Sequence, residues 1–324
     1  MLIRPELGAV VGAVVVFAFF ATQSEVFRSV AGIANWLDPA ATLGIMAVAI
    51  ALLMIGGEFD LSAGVLTGTT GLVLVTLATR FGLNVWLAML AGLAVALAVG
   101  FVNGLIVTRT RLPSFIVTLG TFLMLQGVNL GVTKTLTGTV QVAGLRRADG
   151  YESARTVFGG TVGDSGFRVA IIWWVLVTVV ATWVLMRSRA GNWIFAVGGN
   201  EQAARAVGVP AARTKIALFM TTAVAAWLVG SILALRYTSV QASSGIGQEF
   251  IYIIAAVIGG CLLTGGYGSA IGASIGAVIF GMADKGIVFL GWDADWFKFF
   301  LGAMLLLATL ANRLVRRYAE EVKH

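Results

Sequence analysis

The chain has 324 residues, of which 59% are hydrophobic and 11% are Asp, Glu, Lys or Arg, and its formal net charge is +7 at pH 7. A soluble protein of this size has about 25% charged residues, so this chain cannot cover itself with a polar surface, and we interpret it as an integral membrane protein. With one cysteine, Cys261, and one histidine, His324, we expect no metal site, no intrachain disulfide and no Ser–His–Asp triad. An excess of basic residues in cytoplasmic loops explains the positive net charge better than nucleic-acid binding does.

Apolar runs long enough to cross a bilayer predict about ten membrane-spanning helices. We therefore expect an all-α, polytopic fold that forms a single transmembrane domain over 1–324. The eighth and ninth runs are short and interrupted by glycine, so the stretch 250–283 also fits one span followed by a re-entrant segment. The predicted spans lie near 7–22, 38–56, 62–79, 85–108, 113–131, 168–186, 214–235, 250–264, 267–283 and 296–312.

An even number of spans places both termini on one side of the membrane, and the basic residues indicate which side. When only short loops are counted, this side carries more basic residues than the other, which predicts cytoplasmic termini. The predicted external segment 132–167 is, however, itself basic. The basic residues on the side of the termini are Arg4, Arg109, Arg111, Arg187, Arg189, Arg205, Arg213, Lys215, Arg313, Arg316, Arg317 and Lys323.

The segment GGEFDLSAG, residues 56–64, places two carboxylates between two apolar runs. Gly56 and Gly57 are expected to end the second span, and Asp60 or Ser62 can cap the next helix by accepting its free N–H groups. The turn is therefore either a capped connection or a direct participant in gating or partner contact. The middle thirds of the third to seventh spans contain no charged residue, which argues against coupling to an ion gradient.

Uncharged polar residues are present in the spans instead. Ser114, Thr118 and Thr121 follow helical spacing and therefore share one face. Such a face either lines a path for a hydroxyl-rich solute or forms hydrogen bonds between helices. The candidate path-lining residues are Asn103, Ser114, Thr118, Thr121, Gln126 and Asn129.

The segment 187–213 is expected on the cytoplasmic side and contains a predicted two-turn helix over 201–207. Asn200 is a good N-cap, and Glu201 and Arg205 complement the helix dipole at its two ends. Gly208, followed by Pro210, ends the helix. So short a helix needs support, which either the lipid surface or a groove on a cytoplasmic motor domain can provide.

Four segments together resemble one family, the ribose-type permeases of bacterial ABC sugar importers, which take up monosaccharides. They are GGEFDLSAG at 56–64, RLPSFIVTLGT at 111–121, GNWIFAVGGNEQAARAVGVP at 191–210 and IAAVIGGCLLTGGYGSAIGASIGAVIFG at 254–281. They occur in order along nearly the whole chain, and the order makes the resemblance specific although each segment alone is weak.

The resemblance implies a helical fold like that of the vitamin B12-type importer permeases, in the bacterial inner membrane. It implies a second permease, either another copy or a paralogue, with separate ATPase subunits that bind ATP and magnesium and a periplasmic sugar-binding protein. The chain itself then carries no cofactor and is a transport subunit, not an enzyme. Two sets of residues match family motifs: the ATPase-coupling helix with Asn200, Glu201, Ala203, Ala204, Arg205 and Gly208, and the signature turn with Gly56, Gly57, Asp60, Leu61 and Ser62.

The chain also departs from the family pattern. Where the common motif GGIDLS has one residue between Gly-Gly and Asp, this chain has Glu58 and Phe59, and the usual Asn-Gly near the ninth span is replaced by Asp284-Lys285-Gly286. The substrate thus remains open among a monosaccharide, a polyol, a nucleoside and an amino acid. An ion-coupled secondary transporter and a membrane-embedded enzyme are alternatives from other classes. Candidate residues for docking a binding protein are Lys134, Arg146, Arg147 and Arg155.

Overall fold

The computed structural model describes residues 6–293 and 295–321. Arg4 and Lys323, which the orientation prediction uses, and His324 lie outside these residues. In chain order the helices are α1 (Glu6–Gln23), α2 (Glu25–Arg28), α3 (Val30–Ile55), α4 (Ala63–Arg80), α5 (Val85–Thr110), α6 (Ser114–Thr137), α7 (Tyr151–Ala154), α8 (Ala170–Arg187), α9 (Arg189–Gly199), α10 (Glu201–Ala206), α11 (Ala211–Tyr237), α12 (Gln248–Ile258), α13 (Ala270–Phe289) and α14 (Trp296–Glu321).

The helices confirm the all-α, polytopic prediction. Within the described residues, eight helices are long and apolar enough to cross a membrane, namely α1, α3, α4, α5, α6, α8, α11 and α13. Two shorter apolar helices, α12 and the Trp296–Leu307 part of α14, occupy the positions of the eighth and tenth predicted spans. In the glycine-interrupted stretch 250–283, a helix of 11 residues ends at Ile258 and α13 begins only at Ala270.

The chain divides into two compact units. The first contains the described residues up to Gly57, Ile171–Ala204, and those from Tyr252 onward. Its core holds Phe20, Phe27, Trp36 and Met282, where α13 packs on α1 and α3. A Cβ at Gly281 would overlap the Trp36 carbonyl oxygen, so the small residues of α13 allow close backbone approach.

The second unit contains Glu58–Ala170 and Arg205–Ile251. In it α11 packs against α4 and α5, and the indole Nε1 of Trp227 donates to the carbonyl of Met89 at 2.8 Å. The predicted external segment is ordered: strand β1 (Gln141–Ala143) pairs antiparallel with β2 (Ser239–Gln241), Val142 facing Val240. Tyr151 also donates to the carbonyl of Leu235 at 3.1 Å, so this segment is anchored to the end of α11.

Candidate functional site

The turn Glu58–Ser62 is held by side chains from α6. The backbone N–H of Phe59 donates to Oγ of Ser114, and that of Leu61 donates to Oγ1 of Thr118, each at 3.0 Å. These bonds satisfy backbone donors that the turn leaves without helical partners. Two of the predicted path-lining residues, Ser114 and Thr118, therefore fix the conformation of the signature turn.

Asp60 lies at the centre of this turn and is 1% exposed. Its Oδ1 accepts hydrogen bonds from the backbone N–H of Ser62 at 2.8 Å and from the Ser62 hydroxyl at 2.6 Å. Of the two predicted caps, Asp60 accepts from the start of α4, whereas Ser62 makes no side-chain cap. Burial raises the pKa of the Asp60 carboxyl to about 6, and the hydrogen bonds from Ser62 and Ala63 oppose this rise.

A chain of hydrogen bonds leads from Asp60 into the helices. The Ser62 hydroxyl accepts from Nδ2 of Asn103 at 3.0 Å, and Oδ1 of Asn103 accepts from the Thr121 hydroxyl at 2.6 Å. The four side chains in this hydrogen-bonded series are all buried, and each is bonded to the next. The network therefore holds α4, α5 and α6 together at one point.

The remaining two candidate path-lining residues, Asn129 and Gln126, differ. Asn129 is buried and donates to the Thr69 hydroxyl at 3.1 Å, whereas Gln126 is half-buried and outside the network. Of the two interpretations offered by the sequence, the contacts show hydrogen bonding between helices. Path lining by these residues stays a prediction.

Glu58, the charge that departs from the family pattern, is also buried. Its carboxylate lies 2.5 Å from Nζ of Lys215, and the two side chains are 9% and 12% exposed. Lys215 lies in the second turn of α11. The turn is thus tied to α11 by an ion pair as well as to α5 and α6 by hydrogen bonds.

Gly56 and Gly57 end α3 as predicted, Gly57 with a φ of 85° that favours glycine. Close by within the first unit, the N–H of Gly266 donates to the carbonyl of Ile55 at 2.8 Å. A Cβ at Gly198, near the end of α9, would overlap that same carbonyl oxygen. The last turn of α3 therefore meets α9 backbone to backbone.

The helix predicted over 201–207 is present as α10, and its role in coupling to an ATPase stays a prediction. Oδ1 of Asn200 accepts from the N–H of Ala203 at 3.0 Å, which confirms the N-cap, and Gly208 adopts a φ of 84° after the helix ends. Ala204 is buried, while Ala203 and Arg205 are exposed and Glu201 is half-buried. The helix α9, capped by Ser188, was not predicted, because its glycines and polar residues obscured its apolar face.

The proposed docking residues lie on and beyond the end of α6. Lys134, Arg146 and Arg147 are exposed, the two arginines in a short 3-10 helix. Arg155 is half-buried and pairs with Glu152 at 3.5 Å. Docking of a binding protein on this surface stays a prediction.

Sequence reasoning missed Glu249, in the first turn of α12. It is 2% exposed, and both carboxylate oxygens lie 3.1 Å from the backbone nitrogen of Gly247, which donates to them. A Cβ at Gly64 would overlap its Oε2. The two glycines before it, Gly245 and Gly247, both with positive φ, are the sequence signal that could have marked a tight turn here.

Comparison with known proteins places the chain among transport permeases. Residues 32–309 match the family described as branched-chain amino acid transport system / permease component. The ribose import permease protein RbsC of Escherichia coli K12 is 31% identical over 95% of this chain and 93% of the relative. The fructose import permease protein FrcC of Rhizobium meliloti is 29% identical over 87% of this chain and 78% of its own.

A third relative is the galactose/methyl galactoside import permease protein MglC of Escherichia coli K12. It is 28% identical over 98% of this chain and 96% of the relative. No solved structure matches the chain at a significant level, so the expected likeness to vitamin B12-type permeases stays a prediction.

Proposed function

The chain belongs to the family of branched-chain amino acid transport system permease components, and on that premise we propose that it is the membrane subunit of an ATP-driven monosaccharide importer. The observation that carries the proposal is similarity along nearly the whole chain to permease proteins for ribose, fructose and galactose. This favours a monosaccharide over a polyol, a nucleoside or an amino acid.

The motor is proposed to lie on separate ATPase subunits, which bind ATP and magnesium. The helix α10 suits contact with such a subunit, because Ala204 is buried against the chain while Gln202, Ala203 and Arg205 face outward. Val207, just beyond the helix, is 80% exposed. A capped helix with one buried and one exposed side can transmit the movement of a bound partner to the residues on which it packs.

The proposed cycle is alternating access. Closure of the ATPase pair displaces α10, and α11, which follows it, moves with it. Because Lys215 of α11 pairs with Glu58, the displacement reaches the signature turn and through it α5 and α6. The chain acts with a second permease, a copy or a paralogue, and receives its solute from a periplasmic binding protein that docks near Arg146 and Arg147.

On this proposal the chain lies in the bacterial inner membrane with both termini in the cytoplasm. The helices α9 and α10 then face the cytoplasm, and the β1–β2 pair faces the periplasm. The arrangement matches the basic residues Arg187, Arg189, Arg205 and Arg213, which cluster around α9 and α10.

A second candidate is an ion-coupled secondary transporter. The buried carboxylate of Glu249 is the kind of group that such a carrier uses to hold a coupling ion. In this case the chain alone would concentrate a solute in liposomes.

Reconstitution into liposomes decides between the two candidates. With a partner ATPase and a sugar-binding protein, we expect uptake of a monosaccharide that requires ATP, and with the chain alone no accumulation. Glu201→Ala with Arg205→Glu should abolish uptake or ATPase co-purification. The matched control is Glu25→Ala with Arg28→Glu on α2, an exposed ion pair whose loss should change neither. Accumulation by the chain alone would overturn the proposal.

A further inference from the structure

Between β2 and α12 the chain forms a short non-helical segment, residues 242–247. Its backbone bonds are those of tight turns, such as Ser244 N–H to the carbonyl of Gln241 at 3.0 Å and Gln248 N–H to that of Gly245 at 3.1 Å. Gly245 and Gly247 adopt φ values of 84° and 88°. We call residues 241–249, from the last residue of β2 to the first turn of α12, the re-entrant segment; it is distinct from the re-entrant stretch that the sequence allowed within 250–283.

The re-entrant segment packs on the first turns of α4. A Cβ at Gly68 would overlap the carbonyl oxygen of Ser244, and one at Gly64 would overlap Oε2 of Glu249. The backbone of the segment therefore rests directly on the backbone of α4. The re-entrant segment therefore lies at the same depth along the membrane-spanning helices as these turns of α4.

Hydrogen bonds between α4, α5 and α6 show which residues of α6 lie at the same depth as these turns of α4. Asn103 links Ser62, just before α4, to Thr121 of α6, and Asn129 of α6 bonds to Thr69. Thr121 and Asn129 lie about 10 Å and about 22 Å along α6, at 1.5 Å per residue, in a helix of 24 residues. Gly64 and Gly68 lie between these levels, so the re-entrant segment sits near the middle of a membrane-spanning helix.

Non-helical backbone is not tolerated next to lipid at this depth. Each unpaired N–H or C=O group costs several kcal/mol in hydrocarbon, so such backbone occurs only where protein buries it or where it lines a water-filled cavity. Protein buries one side, on α4. The other side carries the exposed polar side chains of Gln241, Ser243 and Gln248, which make no side-chain hydrogen bond within the described residues.

We propose that the re-entrant segment forms a wall of an aqueous solute path, in which Gln241, Ser243 and Gln248 offer hydrogen bonds to a hydroxyl-rich solute. The wall follows from the segment's depth and polarity; only the identity of the solute rests on the proposed monosaccharide import. Glu249 is a positioning residue, because its carboxylate accepts from Gly247 and holds the turn that presents these side chains.

The chemistry of the wall fits an uncharged polyhydroxy solute. Amides and a hydroxyl both donate and accept, as sugar hydroxyl groups do, and the segment has no basic side chain to retain an anion. Three neutral contacts of this kind bind weakly, which favours release during transport.

Cysteine labelling in the assembled complex tests the wall. The single cysteine of this chain, Cys261, is buried, and Cys261→Ser gives a permease subunit without thiols, whose labelling is read separately from that of the other subunits. In this background Ser243→Cys and Gln248→Cys should react with a charged, membrane-impermeant thiol reagent, and the transported sugar should slow the reaction several-fold. The matched control is Met124→Cys on α6, which is 64% exposed, lies at a similar depth and should remain unlabelled in lipid.

Each outcome is decisive. Labelling of 243 and 248 but not of 124 supports an aqueous wall, even if no monosaccharide is transported, in which case only the solute assignment fails. No labelling at 243 and 248, or equal labelling at 124, overturns the wall. Labelling that no transported monosaccharide slows, in a complex that imports that sugar, overturns the role of the segment in binding it.

Discussion

Lys215 and Glu58 form an ion pair of 2.5 Å in which both side chains are almost completely buried. It connects α11, the helix that follows α10, to a turn that is also bonded to Ser114 and Thr118. The pair therefore joins two regions that the proposed cycle must move together.

Breaking this pair from one side should destabilise the protein. Lys215→Met leaves a buried, unpaired carboxylate, which costs about 3–5 kcal/mol, whereas replacing both partners by neutral residues is often nearly neutral. We expect a large fall in the unfolding midpoint for Lys215→Met in detergent, and recovery of most of it in Glu58→Gln with Lys215→Met. Arg28→Met, in the exposed pair with Glu25, is the control and should have little effect. Equal losses in the single and double variants would contradict a buried pair.

Asp60 should make stability depend on pH. Its folded-state pKa, about 6, lies above the ordinary value of 3.8 for an aspartate carboxyl, so the folded protein binds the proton more tightly than the unfolded chain does. The contribution of Asp60 to stability is therefore greatest below about pH 4, falls by about 3 kcal/mol between about pH 4 and about pH 6, and is level above that range. Asp60→Asn should flatten this part of the profile relative to the parent protein. Identical pH profiles in denaturant unfolding would rule out this titration.

Gly68→Ala tests the packing of the re-entrant segment on α4. The added methyl group meets the backbone of Ser244, and overpacking of this kind costs about 1–3 kcal/mol. Gly127→Ala on α6 is the matched control, because a Cβ there meets nothing within 4 Å and alanine favours the helix. We expect a lower unfolding midpoint for the first variant and an unchanged or higher one for the second. The reverse order would show that the contact is absent.

Arg146 and Arg147 should affect recognition of the binding protein. Reversing both charges, Arg146→Glu with Arg147→Glu, should weaken stimulation of ATPase activity by the binding protein, and more strongly at low salt because screening is weaker there. Neutralising both to glutamine should give an intermediate effect. A loss that does not vary with salt would point to disrupted folding and not to a charged docking surface.

The positions of the helices could be predicted from sequence because a long run of apolar residues indicates a helix that lies in an apolar environment. The predicted span 85–108 and the observed α5 differ only at one end, and α10 was marked by its own cap and stop residues. These signals are contained within a few neighbouring residues, so they survive without any knowledge of tertiary contacts.

Contacts between distant residues could not be predicted in the same way. The strands β1 and β2 have three residues each and are about a hundred residues apart, so neither shows a period that indicates a strand. Glu249 looks like a loop residue at the edge of an apolar run, and only its packing on Gly64 shows that it is buried. The partners of Asn103 could not be predicted either. A polar residue in a membrane span indicates that a hydrogen bond is present, but it does not identify the partner residue.

The junction of Gly198 with the carbonyl of Ile55 involves no side chain larger than hydrogen on the α9 side. Its geometry is therefore insensitive to which residues occupy the outward face of the neighbouring α10. We therefore expect a chimera that carries the exposed residues of another permease's α10 to keep this joint, so that any change in its pairing with an ATPase is due to the exchanged surface.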